Sequence, residues 1–197
     1  MKISLKQFTS LSVLLLSILL ITGCGSDEPT TEGPVTEILT FYRLVESNEF
    51  SLQVPEDWET IQNFTTAYPE NTIVAFRNNI QDHDFIANIN VVRNEVTEGT
   101  TSADYAIEMF DTISNQLINY KKLNEESYTL YVGANPIETF LYEFQGINDP
   151  TETTKQFIQI YGTNGTNAYV ATGSYDADDS ELAIDQIQQS MRTFMLK

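Results

Sequence analysis

Phe157-Ile158-Gln159-Ile160-Tyr161, then Gly162-Thr163-Asn164-Gly165, then Tyr169-Val170-Ala171-Thr172: two runs rich in β-branched and aromatic residues flank a turn. The Asn164-Gly165 pair tolerates positive φ, as a tight hairpin connection demands, so the stretch predicts two adjacent antiparallel strands. Just upstream, Tyr128, Leu130 and Val132 make one more strand, and Gly133-Ala134-Asn135-Pro136 turns the chain. Phe140, Tyr142 and Phe144 then line one face of the next. Downstream, Asp178, Asp179 and Glu181 surround the start of a helix with an apolar stripe of Leu182, Ile184, Ile187, Met191 and Phe194.

Further towards the N-terminus the apolar period lengthens and then shortens again. Thr101 or Ser102 can cap a helix whose apolar positions Tyr105, Met109, Phe110, Ile113, Leu117 and Tyr120 recur at three and four, ending near Lys121-Lys122. Before it, Phe85, Ala87, Ile89 and Val91 alternate with Asn88 and Asn90, and Thr72 to Arg77 reads as a strand. Phe50, Leu52 and Val54 alternate with Ser51 and Gln53 until Pro55 removes a ladder donor and stops the run. The order is three strands, a helix, four strands and a helix. Short turns make consecutive strands antiparallel, and two amphipathic helices need a surface to cover. The expected fold class is therefore α+β: an α/β/α-type sandwich, with a central antiparallel β-sheet of about six to seven strands covered by two helices.

The first 24 residues have a different character. Lys2 and Lys6 form a short basic region, Leu11 to Ile21 is apolar apart from Ser12 and Ser17, and Ile21-Thr22-Gly23-Cys24 follows at once. This is the anatomy of a signal peptide, too short an apolar run for a membrane-spanning helix of about 20 residues. The four residues ending in Cys24 resemble the bacterial lipobox. That resemblance implies a lipid on the Cys24 thiol, cleavage after Gly23 and acylation of the new amino terminus. With several acyl chains the membrane attachment is stable where one gives only reversible binding. Gly25 in place of Asp implies, by the rules of such signals in bacteria with two membranes, sorting to the outer one. Gly-Ser-Asp-Glu-Pro-Thr-Thr-Glu-Gly-Pro follows without an apolar side chain, a composition that cannot bury enough surface to fold. The expected organisation is a signal peptide over 1–23, a lipidated flexible tether over 24–43 and one globular domain over 44–197. The protein is then extracytoplasmic and lipid-anchored to a bacterial membrane.

Charge and residue counts exclude several functions. There are 28 Asp and Glu against 10 Lys and Arg, a net charge of −18. Nucleic-acid binding is excluded because phosphate neutralisation needs clustered cations. Cleavage after Gly23 removes Lys2 and Lys6 and makes the chain more acidic still, favouring cations and basic partners at long range. One Cys cannot form a disulfide within the chain, and Cys24 with the single His83 cannot supply four ligands to structural zinc. No nucleophile elbow, Walker loop or dinucleotide fingerprint is present, and Gly162 to Gly165 lacks the Lys-Ser/Thr of a phosphate loop. His83, in Gln81-Asp82-His83-Asp84, reads as a solvated turn residue rather than a base. Asp176-Ala177-Asp178-Asp179-Ser180-Glu181 could collect round Ca²⁺, but helix capping explains the same residues and an EF-hand's Gly and distal Glu are missing. Trp58 reads as covering one end of the core rather than stacking on a ligand. No catalytic, cofactor or metal residues are assigned, and lipid attachment at Cys24 is the one site expected.

Phe50-Ser51-Leu52-Gln53-Val54-Pro55-Glu56-Asp57-Trp58, with its aromatic, its alternation and its Pro and Trp, resembles the opening signature of PsbP-like domains. The element order and the closing helix ending at Ser190 to Phe194 are similar to that family over roughly residues 45–197. The resemblance implies a compact α/β sandwich, and an accessory role of the kind that plant and cyanobacterial relatives play beside photosystem II. No residue set matches their metal or cofactor contacts.

Three functions follow as expectations. The first is a non-catalytic binding or accessory module for another envelope protein, and the protein is not expected to be an enzyme. The second is a receptor for a small molecule or a cation such as Ca²⁺, in a cleft lined by Phe140, Tyr142 and Phe144; a filled core under both helices would count against it. The third, on family analogy alone, is a photosystem II assembly factor.

Overall fold

The hairpin at Asn164-Gly165 forms as expected in the computed structural model, which describes residues 37–64, 68–79 and 85–197. Strand β8 (Lys155–Asn164) turns through Gly165 and Thr166 into β9 (Asn167–Asp176), and the positive φ, 63°, falls on Gly165. The alternating run near the N-terminus is β2 (Phe50–Pro55), preceded by β1 (Tyr42–Glu46) and followed by β3 (Glu59–Ile61). Next come β4 (Thr72–Arg77), β5 (Asn88–Glu95) and helix α1 (Ser102–Gln116). After it come β6 (Ile118–Val132) and β7 (Asn135–Ile147), which lead into the hairpin. Helix α2 (Glu181–Met191) and the short β10 (Met195–Leu196) close the chain.

The fold class expected from the sequence is corrected here. The described residues form one ten-stranded sheet in the order β1-β2-β10-β6-β7-β8-β9-β5-β4-β3, curled into a half-barrel with only two helices, not a sandwich of six to seven strands covered by helices. The sheet is mixed, because β10 runs parallel to β6 while pairing antiparallel with β2. Strands β3 and β10 have three and two residues, too few to express a period of two. Strand β6 was disguised by the helix before it. Leu117 and Tyr120 keep the helical spacing, yet the helix stops at Gln116. Ser114 Oγ and Asn115 Nδ2 both donate to the Asp111 carbonyl, taking up backbone acceptor capacity in the last turn. Asn119, the second residue of β6, then adopts a positive φ of 55°, which Asn tolerates, where the pairing with β7 shifts register between Ile118 and Lys121. Lys121 and Lys122 therefore belong to a strand and do not complement the helix dipole.

Both faces of the central strands are buried, by unlike means. On one face α2 packs against β2, β8 and β9. Leu52, Phe76, Ile89, Ile160, Ile187, Met191 and Phe194 fill the space between them. A Cβ at Gly173 of β9 would lie 2.3 Å from Ile187 Cγ2, so the missing side chain is what lets α2 sit so close. Leu182, read as part of this stripe, instead faces solvent, and Ala183 takes the inward position. On the opposite face α1 crosses β7 and β8, with Tyr105, Ala106 and Phe110 against Tyr142, Phe144 and Tyr161. Thr101 caps α1 by accepting from the Asp104 amide at 3.1 Å. Ser102 ties the same end to β8, its Oγ accepting from the Thr163 amide at 2.8 Å.

Candidate functional site

A helix of 15 residues is about 22 Å long and about 10 Å across, whereas ten strands at about 4.8 Å spacing make a far wider sheet. Among the described residues, helix α1 therefore leaves part of its face of the sheet uncovered. Between α1 and the β3 end lies an open groove of about 830 Å³ floored by β8, β9 and β5.

Side chains two residues apart share a face, so β5 contributes Asn88, Asn90, Val92 and Asn94 to the groove, and β9 contributes Val170, Thr172 and Ser174. Strand β8 adds Lys155, Phe157 and Gln159. The register lines them up. Gln159 pairs with Thr172, and Thr172 pairs with Asn90, giving a polar row across three strands in the middle of the floor. Tyr161 donates its hydroxyl to Gln159 Oε1, and Gln159 Nε2 donates to Thr172 Oγ1 at 3.0 Å. The row then ends on an open valence: Asn90 is only 7% exposed, and its Oδ1 has no hydrogen-bond partner. Its neighbours on β5 are satisfied. Asn88 Nδ2 donates to the Ile86 carbonyl at 3.0 Å; Asn94 Nδ2 donates to Tyr105 Oη at 2.8 Å and Asn94 Oδ1 accepts from Asn71.

The walls are apolar and aromatic. Met109, Ile113 and Leu117 form the α1 side, with Phe157 stacked on Phe144 at 5.1 Å and 21° below them. Tyr68 and Phe85 stand opposite. At one end the Lys155 ammonium lies 2.9 Å from Glu152 Oε2 and 4.7 Å from the centre of the Phe85 ring. The hydrogen bond from Lys155 holds the Glu152 carboxyl below its ordinary pKa, so the pair stays intact until acid protonates it. Arg77, also on the rim, is paired with Glu59 at 2.8 Å. The lining thus presents amides, hydroxyls and rings, with its basic side chains already neutralised and the exposed Glu70 carboxylate on its rim.

The aromatic cleft expected at Phe140, Tyr142 and Phe144 is mostly filled core. Tyr142 stacks on Phe110 at 3.8 Å and 7°, Phe140 stacks on Tyr142, and only Phe144 reaches the groove. Burial pushes the Tyr142 phenol up to about 12 and Tyr161 well above its ordinary value. Trp58 is 2% exposed and donates from Nε1 to Gln186 Oε1 at 3.2 Å, closing the core under α2. The acidic segment serves the fold: Asp176 Oδ1 accepts from Thr153, Asp179 Oδ2 accepts from the Asp176 amide, and Ser180 caps α2. Among the described residues no three His, Cys, Asp or Glu side chains gather as a metal site, and no helix is long and apolar enough to cross a membrane. Cys24 and His83 lie outside the described residues.

In the sequence Asn88 and Asn90 show only as the polar half of an alternation, and Gln159, Thr172 and Ser174 are not singled out. A signal was present. Three Asn in the eight residues of β5 is unusual for a residue depleted in strands, and Gln159 interrupts an otherwise apolar run.

No family model matches the chain, and no curated protein matches it by sequence. Solved structures do share its fold. The solution structure of cyanobacterial PsbP (CyanoP) from Synechocystis sp. PCC 6803 matches at a TM-score of 0.53 and 14% identity, over 86% of this chain and 99% of that one. PA94 from Pseudomonas aeruginosa, a protein of unknown function described as a putative regulator, matches at 0.52 and 15%, over 77% of this chain and 94% of its own. The likeness carries the fold, and the PsbP-like resemblance of the opening strand holds at that level.

Proposed function

We propose that this protein is a non-catalytic binding module, held outside the cell membrane by lipid on Cys24, and that it works through the groove beside α1. The observation that supports this is the open groove of about 830 Å³, with apolar walls over a polar floor in which Asn90 Oδ1 is a buried acceptor without a partner. Leaving such a group unpaired costs about 1–3 kcal/mol, so Asn90 does not stand in the floor for the sake of the fold's stability. The volume suits a bound molecule and the mixture of apolar walls with a few polar groups is that of a recognition site. Amides and hydroxyls recognise rather than react, and the Lys155 and Glu152 charges neutralise each other. The fold likeness to PsbP supports an accessory role, and the acidic surface favours a basic envelope protein as the partner the module serves.

A photo-crosslinking residue placed at the exposed Gln116, on the groove's rim, tests the proposal in the native envelope, with the same residue at Glu138 as control. The expected result is a saturable adduct at position 116 that Asn90→Leu abolishes. Equal labelling at both positions would remove the groove from the account. Separately, Cys24→Ala is expected to release the protein from the membrane fraction, and retention there would overturn the anchor.

A further inference from the structure

Seven large apolar side chains are exposed among the described residues, and three of them, Ile38, Phe41 and Leu44, fall within seven residues of chain. One buried amide gathers two of these. Leu39 N–H donates to Gln53 Oε1 at 2.7 Å and Gln53 Nε2 donates to the Glu37 carbonyl at 2.8 Å, which holds Ile38 beside Gln53; Leu44 is the register partner of Gln53 across β1 and β2. Phe41 takes the third position of a turn that Tyr42 closes by donating to the Leu39 carbonyl at 3.2 Å, and its own carbonyl accepts from the Glu56 amide at 3.0 Å. Its φ is 66° and it is 80% exposed. Gly or Asn suits positive φ in such a turn, whereas a Phe strains the backbone, and a ring so exposed gains little from packing within the domain.

We propose that these three side chains seat in the interfacial layer of the bilayer that carries the lipid on Cys24. The inference rests on that anchor and goes further, because it assigns the side of the domain that meets the membrane. About a dozen residues separate Cys24 from Glu37, a span of at most about 45 Å, so the segment begins the folded domain at the end tied to the bilayer and meets lipid at high effective concentration. No carboxylate lies between Glu37 and Glu46, although the chain holds 28 Asp and Glu, so the segment approaches a zwitterionic surface without desolvating an acid of its own. Arg43, its one charged residue, alternates to the opposite face from Leu44. Its guanidinium donates to the Trp58 carbonyl at 3.0 Å and to Thr60 Oγ1 at 2.7 Å. A bilayer interface asks only for apolar area, which a ring and two branched aliphatic chains offer. A protein strand adding to β1, an end strand of the sheet, needs an open edge; Arg43 laces β1 to β3, and the Lys197–Glu46 ion pair stands at its far end.

The test puts Phe41→Trp in the lipidated full chain, in vesicles of phosphatidylcholine and phosphatidylethanolamine. Trp58, 2% exposed, supplies a constant background. Lipids brominated near the top of the acyl chain are expected to quench the added emission, and its maximum is expected to shift to the blue; Leu182→Trp, on exposed α2 surface, is expected to show neither. In the native envelope, a photo-crosslinking residue at position 41 is expected to label phospholipid. Phe41→Gly is expected to leave the thermal midpoint level or higher, because the strain goes with the ring. A lowered midpoint would mean that Phe41 serves the fold and would overturn the proposal. Emission at position 41 unchanged by bromolipid, or quenched equally at 182, in protein that still floats with the vesicles would overturn the contact and leave the Cys24 anchor standing. Protein that does not float would remove anchor and contact together. A protein adduct at position 41 in place of lipid would overturn the assignment and make the segment a protein interface.

Discussion

The two faces of the sheet solve the same problem differently. Under α2 the space is filled by aliphatic side chains, and a glycine in β9 brings the helix down onto the strand. Under α1 a block of stacked aromatics fills the near half, and the far half is a polar floor with no helix above it among the described residues. A domain of this size can hold its fold with one well-packed face and leave part of the other for binding. Most polar atoms on that floor bond to one another or to the backbone. Asn90 Oδ1 does not, and the other such atom among the described residues, Ser190 Oγ, does not line the groove.

The sharpest way to break the comparison is at the closed face. Gly173→Val puts a Cβ 2.3 Å from Ile187 Cγ2 and adds two methyls beyond it, so α2 must lift from β9. Overpacking ordinarily costs about 1–3 kcal/mol, but a contact this far inside van der Waals distance leaves no room to relax, and the variant is expected to fail to fold. Next in size is the aromatic block. Phe110→Ala, which removes the ring stacked on Tyr142, is expected to cost about 3–5 kcal/mol in chemical denaturation, since a helix over a half-open face still depends on that contact.

Alkali provides a graded test of both faces. Burial pushes the phenols of Tyr128 and Tyr175, as well as Tyr142, up to about 12, whereas in the unfolded chain they ionise near 10. Between those values the folded state keeps protons that the unfolded state has released. Their contribution to stability is therefore complete below about pH 10 and is lost as pH rises towards about 12. Melting followed against pH should fall across that window.

How much of this was legible in the sequence depended on length and on neighbours. The hairpin at Gly165, the capping at Thr101 and the strand over Phe50 to Pro55 were readable because each carries its own local signal: a residue that takes positive φ, a side-chain acceptor, a clean alternation. The end of α1 was not, because Leu117 and Tyr120 extend a helical spacing into a strand, and only Ser114, Asn115 and Asn119 mark the change. Strand β10 was invisible at two residues, and with it the parallel pairing to β6 that makes the sheet mixed. The polar row was half legible. Asn88 and Asn90 stood out as the polar half of an alternation, but alternation does not say whether a polar face meets water or a groove. Their alignment with Thr172 and Gln159 comes from a pairing some eighty residues away in sequence, which no local pattern encodes.

The account stands on Asn90 serving a ligand rather than the fold, and the thermal midpoint of Asn90→Leu tests this most directly. Leu has nearly the shape of Asn and removes a buried acceptor that nothing satisfies, so the midpoint should equal or exceed that of the wild type. A fall of several degrees, at about 2–4 °C per kcal/mol for a chain of this length, would mean that Asn90 holds the sheet together and would contradict the account.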